Sequence, residues 1–451
     1  MSVKQDEKSQ EFYPSIKCKY FQKYIMKKSV RIAQSVHDLE NFAELVRNQS
    51  KFQLKPIKLS DQNDWIVKDD CLSHKSGGFF SLCGYRDQQH DFEALVLFQP
   101  QGAFNGMAIH CRDDRVYLLL QARVEPGNSR LVQYGPTIQS TPANYLRLHG
   151  GKKTAYLEFF FEYRAGVKVL ENSTQLDLGK RYYQKTKLLS YIQLEEMCQC
   201  EENTIWAPLD IVARVIDHDN FLNTDLRSMI GVFDWDSLFD KSLINNFSSN
   251  LTLPVKRQSK NSGGLISLAA LRKWKLTDEG IEPKANVATS AKLYQVICTN
   301  REVGQWIQPL FLCNGIGLVL LYQRLKNGKK EFLLQKGREF GVSGNTVYLP
   351  SEVVYPDENK QISLPEGEVL IDLLQSEEGG RFLKNENRYQ LVQVDEAFAL
   401  GDEHIWVSIP ELKTLLSTSN MVSIQLRCIA SLLLPTLNPL VGSVAKQVAV
   451  V

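Results

Sequence analysis

The residues best suited to chemistry fall in two dense polar runs. The first is Glu125-Pro-Gly-Asn128, then Gly135-Pro-Thr-Ile-Gln-Ser-Thr-Pro-Ala-Asn-Tyr145, then Arg147-Leu-His149-Gly-Gly151. Thr137, Gln139 and Asn144 bring hydroxyl and amide groups, and Arg147 brings a guanidinium fork, all on loops shaped by glycine and proline. That inventory suits gripping a sugar and a diphosphate. A solvated loop rich in turn residues reads the same way. The second run follows an apolar strand: Gln375-Ser-Glu-Glu-Gly-Gly-Arg381-Phe382, then Asn387-Arg388-Tyr389. A strand giving way to serine, two carboxylates and arginines is where α/β proteins place ligand groups; a structural ion-pair network is the alternative. Neither a G-x-G-x-x-G nor a Walker pattern is present.

Nine cysteines are scattered without a Cys-x-x-Cys pair, and only Cys198 and Cys200 lie close together. Structural zinc needs four ligands at recurrent spacings, so reduced thiols are expected and no metal. A net charge of +2 and 23% charged residues give no global field pointing to nucleic acid or to a membrane surface. The opening MSVKQDEKSQEFYPS has no apolar core, so it does not read as a secretory signal, and the expectation is a cytoplasmic protein. Apolar stretches such as Ile316 to Tyr322 fall short of the roughly 20 residues a spanning helix needs.

The elements that must position these runs occur twice. Residues 205–227 (IWAPLDIVARVIDHDNFLNTDLR) align without gaps on 405–427 (IWVSIPELKTLLSTSNMVSIQLR), so Trp206 and Trp406, and Arg227 and Arg427, each differ by 200 positions (406 − 206, 427 − 227). Upstream, Gln121 and Glu125 match Gln335 and Glu339. Segments ending at Trp65 and Trp274 begin the copies, and Pro254 to Gly264 has linker composition. The expected division is an extension over 1–28, a first repeat over 29–258 and a second over 259–451, with the boundary near Ser259. Ser29 to Gln53 places Ile32, Val36, Leu39, Phe42, Leu45 and Val46 at helical spacing. Strands are expected at Val116–Val124, Tyr156–Tyr163, Phe332–Gln335, Val369–Leu374 and Tyr389–Val394. Ser408-Ile-Pro-Glu411 is a capping box opening a late helix. The fold class is α+β, with mixed sheets flanked by helices in an internally duplicated chain.

The pieces HKSGGFFS (74–81), GYR (84–86), LLLQARVEPGN (118–128), PTIQSTPANY (136–145), HGG (149–151), YLEFF (156–160), LQSEEGGRF (374–382), NRY (387–389) and the twice-used IW…LR endings resemble the NDP-hexose 2,3-dehydratases of deoxysugar biosynthesis. The resemblance runs from about Trp65 to the last helix. It implies duplicated Nudix-like domains, a homodimer and a dTDP-sugar substrate. The long glycine-to-glutamate box that a Nudix hydrolase uses to hold Mg²⁺ is missing. The chemistry implied is removal of the C3 proton beside a C4 ketone, with donors stabilising the enolate, then loss of the C2 hydroxyl. This elimination consumes no redox cofactor, and none is expected.

Tyr145, His149 and Glu158 are the candidates for proton exchange. Gln121, Glu125, Asn128, Thr137, Gln139, Asn144, Arg147, Trp306, Gln375, Ser376, Glu377, Glu378, Arg381 and Arg388 are the candidates for substrate binding, with Arg147, Arg381 and Arg388 directed at the diphosphate. The copies depart from the family's pattern unequally. Gln175-Leu-Asp-Leu-Gly179 stands where Gln-Ser-Glu is expected, and Leu349-Pro-Ser-Glu-Val353 replaces Pro-Thr-x-Gln. Trp306-Ile-Gln-Pro309 has Phe92-Glu-Ala-Leu95 as its counterpart. One working pocket centred on the first copy, beside a relic, is the expectation. A sugar-nucleotide hydrolase and a non-catalytic binding homologue are the alternatives.

Overall fold

A computed structural model describes residues 29–89, 91–148, 150–239, 263–284, 289–339, 341–342, 346–356 and 367–441. Helix α1 (Val36–Gln49) and strand β1 (Phe52–Ile57) precede a meander of β2 (Trp65–Lys68), β3 (Cys71–His74), β4 (Ser81–Asp87) and β5 (Phe92–Phe98). A second layer starts with β6 (Ala103–Arg112), β7 (Arg115–Val124), β8 (Val132–Gly135) and β9 (Ile138–Ser140). Short helices α2 (Pro142–Tyr145) and α3 (Leu157–Phe161) lead to β10 (Val167–Leu176), β11 (Tyr182–Tyr183), β12 (Thr186–Leu194) and β13 (Thr204–Pro208), closed by α4 (Leu209–Arg214) and α5 (Thr224–Val232). The second half repeats the order. It has β14 (Gly263–Ile266), the meander β15 (Trp274–Thr277), β16 (Gly280–Pro283), β17 (Thr289–Cys298) and β18 (Gln305–Cys313), and the layer β19 (Ile316–Lys326), β20 (Lys329–Gly337), β21 (Val347–Leu349) and β22 (Glu352–Val354). Then come β23 (Glu368–Ser376), β24 (Phe382–Leu383), β25 (Glu386–Gln393), β26 (His404–Ser408), α6 (Ile409–Ser417), α7 (Ile424–Ser431) and α8 (Leu434–Leu437).

Four mixed sheets result, two per half. In the first half they run β11-β5-β4-β3-β2 and β10-β12-β6-β7-β13; in the second, β24-β18-β17-β16-β15 and β23-β25-β19-β20-β26. The duplication read from the sequence therefore appears in strand order and register: Trp206 faces Leu119 and Trp406 faces Leu333. Gln121 and Gln335, matched in sequence, lie opposite Thr204 and His404. The structure is richer in sheet and poorer in helix than sheets flanked by helices implied. Among the described residues no helix is long and apolar enough to cross a membrane.

The halves exchange strands. β1, which precedes the first meander, pairs with β17 of the second half, and β14, which precedes the second meander, pairs with β4 of the first. Lys55 lies opposite Gln295 and Gly264 opposite Arg86, so both swapped strands obey the shift that relates Trp65 to Trp274 (264 − 55 = 295 − 86 = 274 − 65). Gly263 and Gly264, expected in a linker, are thus strand residues, while Ser259 lies outside the described residues.

The repeated Leu-Arg endings lock the halves at the centre. Arg227 and Arg427, each 1% exposed, reach across. Arg227 donates to Gln375 Oε1 at 2.5 Å and to the Ile216 carbonyl at 2.6 Å. Arg427 donates to Ser228 Oγ at 2.7 Å and to the Leu176 carbonyl. Burial opposes the charge of both guanidiniums, and carbonyl and amide oxygens satisfy it. Helices α5 and α7 touch backbone to backbone, since a Cβ on Gly231 would stand 2.1 Å from the Arg427 carbonyl oxygen.

Three local expectations need correction. The N-terminal helix begins only after Ser35, whose capping box with Asp38 sets its start. Ile32 instead bridges to Trp206, held by Ala33 N–H to the Trp206 carbonyl at 2.9 Å. The strand expected at 156–163 is the single-turn helix α3: Tyr156 adopts φ 64°, turning the chain, and its hydroxyl joins Thr204 Oγ1 at 2.7 Å. The following rings cover the outer face of the sheet, where Gly106 leaves room for Phe160. Reduced thiols fail at one pair: adjacent antiparallel strands put Cys71 opposite Cys83, and they form a disulfide. Cys198 and Cys200 are free thiols.

Because the α5–α7 contact leaves no room for a side chain, Gly231→Val should cost about 3 kcal/mol, the upper end of overpacking effects. Urea unfolding of the full chain measures it, and an unchanged midpoint would contradict the contact.

Candidate active site

The two halves also trade loops. The turn after β7 docks on the loop after β23: Gly127 N–H donates to the Gly379 carbonyl at 2.7 Å and Lys384 N–H to the Gly127 carbonyl at 2.7 Å. A Cβ on Gly127 would stand 1.7 Å from the Phe382 carbonyl oxygen, so glycine is required there. The counterpart contact joins Gly341 to Gly179 at 2.8 Å and Gln184 to Gly341 at 2.6 Å. The Glu-x-Gly turn of each copy thus meets the acidic glycine loop of the other.

At the first junction lies a cavity of about 590 Å³, a size suited to a small ligand. Its walls come from both halves. Trp65, His74 and Phe79 with Thr141 and Asn144 come from the first, and Arg301, Trp306, Gln308, Gly380 and Arg381 from the second. The β17–β18 turn reaches over: the Arg301 guanidinium donates through Nη1 to the Val124 carbonyl at 3.0 Å, and the Lys152 backbone N–H donates to the Glu302 carbonyl at 2.9 Å. Gln308 donates to the Gly380 carbonyl at 2.8 Å and accepts from the Trp306 indole at 3.1 Å. The Arg381 guanidinium stacks 4.3 Å over the Phe80 ring, and its buried Nε has no hydrogen-bond partner among the described residues.

Two carboxylates flank Gly380. A Cβ there would lie 3.8 Å from Glu125 Oε1 and 3.9 Å from Glu378 Oε1. Glu125 is 2% exposed, paired with Arg123 Nε at 2.8 Å and receiving the Gln139 amide at 3.3 Å, while Gln139 accepts from Asn223 at 2.9 Å. Asn128 packs against Gly379, its buried amide without a partner. Glu378 meets Lys187 at 3.4 Å and accepts from Tyr182 at 3.0 Å. Burial opposes its charge, but Lys187, Lys185 and Arg381 outweigh that and hold its carboxyl well below the usual range. Lys187 also pairs with Asp225 at 2.8 Å and Asp177 at 3.4 Å.

Of the residues singled out in sequence, Asn144, Trp306 and Arg381 line this cleft, and Glu125, Gln139, Asn128 and Glu378 lie around its floor at Gly379 and Gly380. The others stand elsewhere. Thr137 is spent on the Ala108 N–H at 2.9 Å and the Leu119 carbonyl at 2.6 Å. Gln375 and Ser376 belong to the inter-repeat joint through Arg227 and Asn220, and Glu377 is clasped by the Asn385 and Asn387 amides. Arg147 is exposed in a left-handed turn, and Arg388 is exposed and paired with Asp372 at 3.4 Å. Gln121 and Glu158 border a neighbouring depression. Burial disfavours the Glu158 charge, yet its backbone hydrogen bond and Lys153 prevail and keep its carboxyl low. Tyr145 packs against Phe161 at 5.8 Å, and His149 lies outside the described residues.

The cleft gathers parts of runs that survive in only one copy each: Asn144 of Pro-Thr-x-Gln…Asn-Tyr from the first, Gly380 and Arg381 of Gln-Ser-Glu-Glu-Gly-Gly-Arg and Trp306 and Gln308 of Trp-x-Gln-Pro from the second. The family model described as NDP-hexose 2,3-dehydratase matches this chain over residues 36–233 and again over 254–433. The chain belongs to the NDP-hexose 2,3-dehydratase family. Among its relatives, the dTDP-4-dehydro-6-deoxy-alpha-D-glucopyranose 2,3-dehydratase of Amycolatopsis orientalis is 25% identical over 408 residues, 84% of this chain and 86% of that one. Those of Streptomyces violaceoruber and Saccharopolyspora spinosa are 26% and 24% identical, covering 84% and 85% of this chain and 92% and 88% of theirs.

In this member of the dehydratase family the counterpart junction is filled. Glu339, equivalent to Glu125, presses on Gly179, where a Cβ would lie 2.4 Å from its Oε2, and that oxygen has no hydrogen-bond partner among the described residues. Burial pushes the Glu339 carboxyl up to about 7, against the opposing charges of Lys180 and Arg427. Sequence reading assigned no role to His74, Arg301 or Gln308. His74 and Gln308 stood inside quoted motifs, whereas nothing in Asn300-Arg301-Glu302 marks a cleft residue before the turn is seen to cross between halves.

Two outcomes follow from these charges. A carboxyl whose pKa is raised on folding weakens the fold as pH climbs from about 4 to about 7. Glu339→Gln should therefore remove up to about 3 kcal/mol of stability loss over that window; urea unfolding at both ends of it checks this, and parallel pH dependence of variant and wild type would refute it. Lys187→Met leaves Asp177, Asp225 and Glu378 without their shared cation and should cost about 3–5 kcal/mol. A midpoint shift far below that would mean the cluster is solvated.

Proposed function

We propose that this chain removes the C2 hydroxyl of dTDP-4-keto-6-deoxyglucose by C3 proton abstraction and elimination, giving a 3,4-diketo-2,6-dideoxy sugar nucleotide. The observation that carries the reading is the convergence, on one cleft, of family runs that each survive in a single copy. Unequal divergence then describes one composite site retained, rather than two sites each half lost.

In this reading the diphosphate lies between Arg301 and Arg381, whose guanidiniums offer forked donors to phosphate oxygens. Trp306 and the Trp65–Phe79 wall enclose base and sugar. Removal of the C3 proton is feasible because the neighbouring ketone takes up the charge, and buried donors around the C4 oxygen favour the enolate more than the ketone. Tyr145, one residue beyond cleft-lining Asn144, and His149 remain the candidates for proton exchange. Glu158 is a poorer base, being ion-paired with Lys153 at 3.1 Å. Repeats over 29–258 and 259–451, Nudix-like descent of each, a homodimer and a cytoplasmic setting complete the proposal.

Incubation with dTDP-4-keto-6-deoxyglucose in deuterated buffer tests it. The C3 proton should be lost to solvent, deuterium should enter at C2 as the enol tautomerises, and a diketo product should form that a reductase traps. Release of dTMP and a sugar phosphate would point to hydrolysis instead, and binding without turnover to a silent homologue. Arg301→Met should raise KM about tenfold or more, as loss of one phosphate-binding fork predicts.

A further inference from the structure

The turn His74-Lys-Ser-Gly-Gly78 presents an imidazole to the cleft in a fixed tautomer. The Ser76 backbone N–H donates to His74 Nδ1 at 3.2 Å, and the Ser76 hydroxyl lies 2.8 Å from the same nitrogen. That hydroxyl accepts from Gly78 N–H at 3.3 Å, which leaves its own proton to point at Nδ1. A backbone N–H can only donate, so Nδ1 must offer its lone pair and the ring's single proton must sit on Nε2. Nε2 has no hydrogen-bond partner among the described residues. The turn depends on Gly77, at φ +68°, and closes with Gly77 N–H on the His74 carbonyl at 3.0 Å.

The ring is also held in place. It stands edge-on to Trp65, its cross-strand partner, at 5.6 Å and to Phe79 at 4.6 Å. Trp65 in turn contacts Phe80, on which Arg381 stacks. Burial among these rings pushes the imidazole below its ordinary value, with Asp64 opposing and Lys75 adding to the shift. A neutral ring with Nδ1 engaged is a donor, not a base.

We propose that His74 is a further catalytic residue, a neutral imidazole whose Nε2–H donates to the C4 oxygen of the keto-sugar as the C3 proton leaves. The proposal rests on the dehydratase reading. The C3–H bond breaks and its proton passes to the base; the electron pair forms a C3–C4 double bond and the carbonyl pair moves to oxygen. The Nε2–H bond strengthens with that charge but the proton stays on nitrogen. Return of the pair restores the C4 carbonyl, makes the C2–C3 double bond and expels the C2 hydroxide, which leaves as water with a proton from the general acid.

The test compares His74→Ala, His74→Gln and His74→Glu for kcat, C3 deuterium exchange and dTDP affinity, with ¹⁵N-histidine spectra of the wild type. Loss of an oxyanion donor predicts that His74→Ala lowers kcat and C3 exchange together by about 10²–10³ with dTDP affinity unchanged. His74→Gln, whose amide N–H₂ reaches where Nε2 stands, should recover at least about tenfold and keep both limbs of the pH profile, and the spectra should show the proton on Nε2. Rescue by His74→Glu but not His74→Gln, loss of the acidic limb, a proton on Nδ1, or wild-type activity in His74→Ala each overturns the proposal while leaving the dehydratase reading intact. A wild-type chain that never removes the C3 proton overturns both.

Discussion

Everything about this site depends on two glycine turns that cross between repeats. Gly127 and Gly341 each lie so close to the opposite half's carbonyl oxygens that no side chain fits, and each is tied there by a reciprocal pair of backbone hydrogen bonds. Such a contact is insensitive to which side chains surround it, so the halves stay in register while their loops diverge. The swapped strands β1 and β14 reinforce the same register from the outside, and Arg227 and Arg427 from the centre. A cleft built at such a junction belongs to neither repeat.

Electrostatics then separate the two junctions. At the first, Glu125 pairs with Arg123 and Glu378 with Lys187, and space remains beside Gly380. At the second, Asp177 stands where Glu377 would stand by the repeat, and Glu339 falls against Gly179 with its Oε2 unpaired among the described residues. A carboxyl whose burial outweighs its neighbouring cations is driven toward its neutral form, which removes the pressure to hold open a polar, solvated pocket.

How much of this was legible in the sequence follows from the range of the interactions. The duplication was legible because Trp206/Trp406 and Arg227/Arg427 preserve spacing, and Ser408 announced a helix start through local capping, whereas the cap at Ser35 went unread and the first helix was begun too early. Strand β7 was legible from its apolar run. The aromatic stretch at 156–161 misled because its rings cover a sheet from outside, a tertiary role that mimics strand composition. The polar runs pointed to the right neighbourhood, yet Gln375, Ser376 and Glu377 serve the joint behind the cleft, because a polar residue beside a ligand and one beside another repeat carry the same signal. That parts of these runs meet from different copies is a property of the loop exchange, which one-dimensional comparison of the copies could not reveal.

The most direct test of a composite cleft is the crystal structure of the full chain with dTDP bound. The account predicts a single nucleotide position touched at once by first-half residues such as Asn144 and by second-half residues Arg301 and Arg381. A nucleotide seated wholly within one repeat, out of reach of the other, would contradict it.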